Sequence, residues 1–153
     1  MKRLLTRGAL LLLLCALLAA SGFADVKAEA VCQQDVLFCT DEGLMTGTGR
    51  NTFSPDRPMT RAMVNTVLAR LAGVDTTPSA GQKWYEVGTA WAKSQGITDG
   101  TNPEASVTRE QLATLLYRFY GTPAVSGTLS FVDAGAISDY AQDALLWATQ
   151  NGI

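Results

Sequence analysis

An aromatic residue, with glycine five positions on and Leu or Ile after it, recurs three times along the chain. The copies are Phe38-Cys39-Thr40-Asp41-Glu42-Gly43-Leu44, Trp91-Ala92-Lys93-Ser94-Gln95-Gly96-Ile97 and Trp147-Ala148-Thr149-Gln150-Asn151-Gly152-Ile153. Trp84 stands seven residues before Trp91, and Tyr140 seven before Trp147. Aromatics at i and i+7 with Ala92 or Ala148 one residue on predict one apolar face of an amphipathic helix. The glycine supplies a left-handed stop, and the Leu or Ile after it folds back on the last turn.

A second kind of helix follows in the first two copies. Met59-Thr60-Arg61-Ala62-Met63-Val64 lines up with Val107-Thr108-Arg109-Glu110-Gln111-Leu112. Beyond these, Val64, Val67, Leu68 and Leu71 form an i, i+3, i+4, i+7 stripe, and so do Leu112, Leu115, Leu116 and Phe119. Gly73 and Gly121 end the two stripes. Thr60 and Thr108 are placed as N-caps, and Thr108 with Gln111 makes a capping box. Met63 holds the equivalent place in the first copy, so that helix start is expected to lack the reciprocal bond. Pro55 and Pro103, five residues before each threonine, mark non-helical loops.

Each repeat therefore reads as helix, loop, helix at a spacing of roughly 50 residues, the sequence signature of a repeat array. One helix pair cannot cover both its apolar faces, so neighbouring repeats must pack on one another. The expected fold class is all-α. The boundaries are 25–76 for the first repeat, 77–126 for the second and 127–153 for a third, of which the chain holds one helix.

The amino terminus changes which residues count as folded protein. Lys2, Arg3 and Arg7 precede an uncharged apolar run from Ala9 to Ala20. Its 12 residues fall short of the ~20 that a membrane-spanning helix needs. Small residues follow, and Gly22-Phe23-Ala24 would allow a signal peptidase to cut before Asp25. Ala28-Glu29-Ala30 satisfies the same rule farther on. These are the regions of a secretory signal peptide, taken as residues 1–24. Cys15 does not make a lipoprotein site, because Leu14 stands where that pathway wants a small residue.

Removal of residues 1–24 leaves nine basic and 14 acidic residues, a net charge of −5. A net acidic chain without a Lys/Arg cluster is a poor match for nucleic acid. No second apolar stretch after the leader is long enough to cross a bilayer. The expected location is therefore exported.

Cys32 and Cys39 remain. On one helix their Cα atoms would lie ~10 Å apart, beyond the ~7 Å that a disulfide can bridge. They read as small core residues sharing a face, with a bridge left open if Cys32 precedes the helix. The chain has no histidine, which removes Ser-His and Cys-His catalysis and makes a metal site a poor reading. No Gly-x-x-x-x-Gly-Lys run is present. Asp99, Asn102 and Glu104 supply oxygens in a short span, but not at the spacing of a calcium loop. No cofactor and no catalytic residues are expected, so the class is binding module rather than enzyme.

These residues resemble the S-layer homology domain. The resemblance rests on Phe131-Val132-Asp133 opening the third repeat, on the Trp/Tyr…Trp-Ala…Gly-Ile helix, on the Phe53-Ser54-Pro55-Asp56 loop and on the Thr-Arg helix start. It extends over essentially everything after residue 31. The family signature at the helix start reads Ile-Thr-Arg-Ala-Glu, and this chain departs from it at Met63 and Gln111. The resemblance implies a pseudo-threefold helical bundle with grooves between adjacent repeats. It also implies non-covalent attachment to cell-wall polysaccharide, often a polymer carrying pyruvate ketals, on the surface of a bacterium.

Under that resemblance Thr60, Arg61, Thr108 and Arg109 line the ligand grooves, while Asp99 and Gly100, in the loop after the second repeat's first helix, either face sugar hydroxyls or form a plain turn. Trp84 and Tyr140 are placed at groove edges, and Trp91 and Trp147 in the core. A helix N-terminus with unpaired N–H groups suits an anion, and an arginine there offers a planar fork to a carboxylate. The plainer alternative for each arginine is an ion pair with a nearby carboxylate. Two further readings stay open. One is an assembly module docking through an exposed face of Tyr140, Ala144, Trp147 and Ala148. The other is a fragment of a longer surface protein, since the chain stops where the family continues into a loop and another helix.

Overall fold

The structure is a computed structural model that describes residues 22–27 and 29–153. The positive leader, the apolar run and Cys15 lie outside the described residues. Among the described residues there are five α-helices, two short 3-10 turns and no strand. The helices are α1 (Gln33–Asp41), α2 (Arg61–Leu71), α3 (Glu86–Ser94), α4 (Arg109–Phe119) and α5 (Gln142–Gln150). The 3-10 turns, Ala134–Ala136 and Asp139–Ala141, lead into α5. The chain is all-α, and no described helix is long and apolar enough to cross a membrane.

All five predicted stop glycines, Gly43, Gly73, Gly96, Gly121 and Gly152, have φ between 68° and 82°. That left-handed turn strains any residue with a Cβ. After α1, α3 and α5 the chain closes in the same way. The N–H of Leu44, Ile97 or Ile153 donates to the carbonyl of Cys39, Ala92 or Ala148 at 2.8, 2.9 and 3.0 Å. The proline loops repeat as well: Ser54 and Asn102, each directly before its proline, both turn to positive φ, 64° and 47°.

The chain divides into two compact units, Met1–Arg57 and Pro58–Ile153. The division falls inside the first repeat, because helices pair across repeats. α2 packs against α3, and α4 against α5. Each pair thus joins the second helix of one repeat to the first helix of the next.

In the unit Pro58–Ile153, Val64, Leu68, Ala92, Ile97 and Leu115 form one buried cluster, flanked by Met59, Trp91, Leu112 and Phe119. A second cluster holds Ala113, Ala144, Trp147 and Ala148 against Leu116, Tyr117 and Val125. Trp91 and Trp147 therefore pack in the core, Trp91 against Phe119 and Trp147 against Tyr117 and Tyr120. Burying large apolar side chains of this kind contributes about 1.5–3 kcal/mol each. Gly88 permits the closest helix approach. A Cβ there would lie 2.8 Å from Thr66 Cα.

Several expectations are corrected. The face of Ala144, Trp147 and Ala148 is not exposed, since α4 covers it and Trp147 keeps only 8% of its surface. Of that expected docking face only Tyr140 remains open. Leu71, at the end of its stripe, is half exposed. Trp84 and Tyr140 precede α3 and α5 instead of lying on them. Met63 does complete a capping pair: the Thr60 N–H donates to its sulfur at 3.5 Å while Met63 N–H donates to Thr60 Oγ1 at 3.2 Å. Thioether sulfur is a weak acceptor, so this bond adds little. Cys32 is the N-cap residue of α1, ahead of the helix, yet both cysteines are free thiols and only half buried.

In the unit Met1–Arg57 the segment before α1 is tied to the loop after it. The Phe23 ring tilts against Phe53 with centroids 5.4 Å apart. The Asp25 carboxylate accepts the Phe53 and Ser54 N–H groups at 2.8 and 2.7 Å. The bond from Phe53 chiefly holds the Asp25 pKa below the usual carboxylate range. Val26 is buried.

Candidate functional site

The unit Pro58–Ile153 contains an open groove of about 310 Å³, lined by Arg61, Thr98, Asp99, Gln111, Thr114, Leu115, Arg118 and Tyr140. It gathers residues from the segments expected as the first, second and third repeats. Arg61 is the first residue of α2, Thr98 and Asp99 follow the Gly96 stop, the next four belong to α4, and Tyr140 comes from the turn before α5.

Arg61 reaches Asp99: Nη2 donates to Oδ1 at 2.7 Å. The arginine side chain is 18% exposed and the aspartate 61%, so the pair sits at the groove wall with its anionic half facing water. The Thr101 N–H also donates to Asp99, at 2.9 Å. That bond, with Arg61 a lesser contributor, holds the Asp99 pKa below the usual range. Arg118, in the last turn of α4, donates from Nη1 to the Ile97 carbonyl at 3.3 Å. Its fork has five donors, and this bond uses one.

Tyr140 forms the opposite edge. Its hydroxyl donates to Glu110 Oε1 at 3.0 Å, and the Ser138 N–H and Oγ also donate to Glu110, both at 3.1 Å. The Ser138 N–H bond first, and then the Tyr140 bond, hold the Glu110 pKa down, while partial burial and the bond to Glu110 raise that of Tyr140. Glu110 therefore fixes the segment carrying Tyr140 to the start of α4.

Of the residues expected to bind ligand, the structure brings Arg61, Asp99 and Tyr140 into this groove. Thr60 caps α2 and forms an isolated bridge with Ser106, making it a joint between repeats. Gly100, with φ +77°, shapes the turn after Asp99 and does not line the groove. Trp84 is half exposed and stacks edge-on against Tyr85. Thr108 and Arg109 are both exposed, and no described residue pairs with the Arg109 side chain.

The two Thr-Arg helix starts also differ in their amides. At α2 the Arg61 and Ala62 N–H groups donate to the carbonyls of Ala105 and Pro103, at 3.0 and 2.8 Å. Those donors are consumed inside the protein, so the expected open helix terminus does not exist there. Arg61 has in addition taken the ion pair that was the plainer alternative.

Sequence reasoning missed Arg118, Gln111, Thr114, Thr98 and Leu115 as groove residues. A signal for Arg118 was present: arginine recurs nine residues after each Thr-Arg arginine, as Arg70 and Arg118. Taken alone, a basic residue in a last helical turn already has a sufficient role in offsetting the helix dipole. Among the described residues no cluster of His, Cys, Asp or Glu could hold a metal ion.

This architecture pairs consecutive helices along the chain and leaves a polar groove where they meet. Residues 22–62 match the family model of the S-layer homology domain. The chain is similar to an S-layer protein of Bacillus thuringiensis subsp. finitimus, 27% identical over 69% of this chain and 15% of the relative. It is similar to the S-layer protein sap of Bacillus anthracis, 28% identical over 69% of this chain and 16% of that protein. An endoglucanase of Bacillus sp. (strain KSM-635) is 29% identical over 80% of this chain and 15% of its own length. The chain thus spans about a sixth of the length of these relatives.

Proposed function

We propose that the chain is a cell-surface anchoring module of an exported bacterial protein that holds non-covalently to an anionic cell-wall polysaccharide. The observation that carries this reading is the charge of the groove. Its lining holds two guanidinium groups and one carboxylate, a local positive balance in a chain whose net charge is −2. Low-dielectric walls strengthen the attraction for an anion relative to open surface.

A saccharide carboxylate, such as that of a pyruvate ketal, fits the free donors of Arg118 in a bidentate pair. Arg61 joins by sharing its fork between that carboxylate and Asp99. The Tyr140 ring offers an apolar face for a sugar, while Gln111, Thr98 and Thr114 supply hydrogen-bond partners for hydroxyls. The role is binding, and the catalysis in the endoglucanase's name is said of that protein alone.

The test compares binding of the exported protein to purified sacculi with and without their secondary polymer. Arg61→Ala and Arg118→Ala variants, checked for folding by circular dichroism, are run beside it. Polymer-dependent binding weakened at least tenfold in each folded variant is expected. Binding that ignores the polymer, or survives both substitutions, refutes the reading.

A further inference from the structure

The first repeat opens earlier than its sequence pattern announces. Phe23-Ala24-Asp25-Val26 and Phe131-Val132-Asp133-Ala134 share the Phe-x-Asp order. They also share a turn: the Val26 N–H donates to the Phe23 carbonyl at 3.3 Å, and the Ala134 N–H to that of Phe131 at 3.2 Å. Phe23 is built into the first unit. At Gly47 a Cβ would come within 2.7 Å of Phe23 Cε1, so the ring lies in the space that this glycine leaves open. The ring meets Phe53 on its other contact. The Ala24 N–H donates to the Asn51 carbonyl at 3.0 Å.

A signal-peptidase cut before Asp25 removes the ring, that hydrogen bond and the turn. It also places a charged α-amino group on the residue whose carboxylate binds the Phe53 and Ser54 amides. A cut after Ala30 removes Asp25 and Val26 as well. Two tripeptides farther upstream, Ala19-Ala20-Ser21 and Ala20-Ser21-Gly22, obey the same small-x-small rule. Either leaves the ten apolar residues Ala9 to Leu18 ahead of it, within the usual length of a signal peptide's apolar region.

We propose that the leader is cut after Ser21 or Gly22, so that Phe23 is retained as the opening residue of the first repeat's fold. This rests on the reading of residues 1–20 as an export signal. The test is to express the full chain with its own leader in a Gram-positive host and determine the first residue of the exported protein by N-terminal sequencing and intact mass. A start at Gly22 or Phe23 is expected. A start at Asp25 or Val31 overturns the cleavage proposal while leaving export intact, whereas an uncut chain overturns the leader reading beneath it. Proteins comprising 23–153 and 25–153 are then compared by thermal unfolding. The shorter one is expected to melt lower, and equal melting overturns the packing argument.

Discussion

Substituting Gly88 with alanine sets two effects of known size against each other. Gly88 lies in the first turn of α3, and alanine in a helix interior is ordinarily better than glycine by about 0.8–1.0 kcal/mol. In the structure the new methyl would sit 2.8 Å from Thr66 Cα, 3.1 Å from its Oγ1 and 3.3 Å from its amide nitrogen. Thr66 cannot turn away, because it is backbone that is met first. Its hydroxyl is also buried and donates to the Ala62 carbonyl at 2.8 Å. The remaining outlet is to push α2 and α3 apart, and overpacking of this kind costs about 1–3 kcal/mol. The clash should therefore win, for a net loss of about 1 kcal/mol.

In a unit of this size that is a fall in melting temperature of roughly 4–8 °C, followed by far-UV circular dichroism. Gly135→Ala is the control: nothing lies within 4 Å of its added methyl, and its melting temperature should hardly move. If Gly88→Ala melts at or above the parent while the control is unchanged, α2 and α3 do not approach through that glycine and the packing described here is wrong.

Glu110 gives a pH dependence with a definite sign. Its carboxylate titrates below the ordinary glutamate range, so its stabilising effect is complete above that range and is lost as pH falls through its folded value. Urea midpoints should therefore fall less steeply with acid in Glu110→Gln than in the parent; parallel curves would remove the clamp. Met63→Gln should replace the sulfur acceptor of the α2 capping pair with an amide oxygen, as Gln111 provides at α4, and add about 0.5 kcal/mol; unchanged thermal unfolding would argue against it. The leader-free protein, denatured without reductant, should yield two titratable thiols, those of Cys32 and Cys39, with Ellman's reagent; none would mean an oxidised pair.

Local structure was legible in the sequence because it is set by local chemistry. The glycine stops, the threonine caps and the aromatic-alanine pairs each act within one turn of their own helix, and the structure places them as their spacing predicted. The pairing of helices was not legible. A stripe such as Val64, Val67, Leu68 and Leu71 states that a face wants covering without stating by what. The Arg61–Asp99 pair spans 38 positions, and nothing beside either residue names the other.

The helix-start amides failed for the same reason. Their acceptors, Pro103 and Ala105, come from the loop of the next repeat, so an apparently open terminus was closed from a distance. Phe23 was hidden differently. It stands among small residues that satisfy a cleavage rule, so the same stretch carries both a leader signal and the match with Phe131.

The offset between repeat and helix pair bears on how such arrays change length. In α2–α3 and α4–α5 alike, the seam joins the tail of one repeat to the head of the next. Excising one whole repeat rejoins a tail to a head, so no seam type is lost. Inserting one adds a single seam of the existing kind. A break at the expected border near residue 76 instead splits α2 from α3, which pack together, and bares two apolar faces. Recombination by whole repeats thus meets little structural resistance, provided the side chains at a new seam fit, whereas the compact unit itself begins at Pro58, inside the expected first repeat.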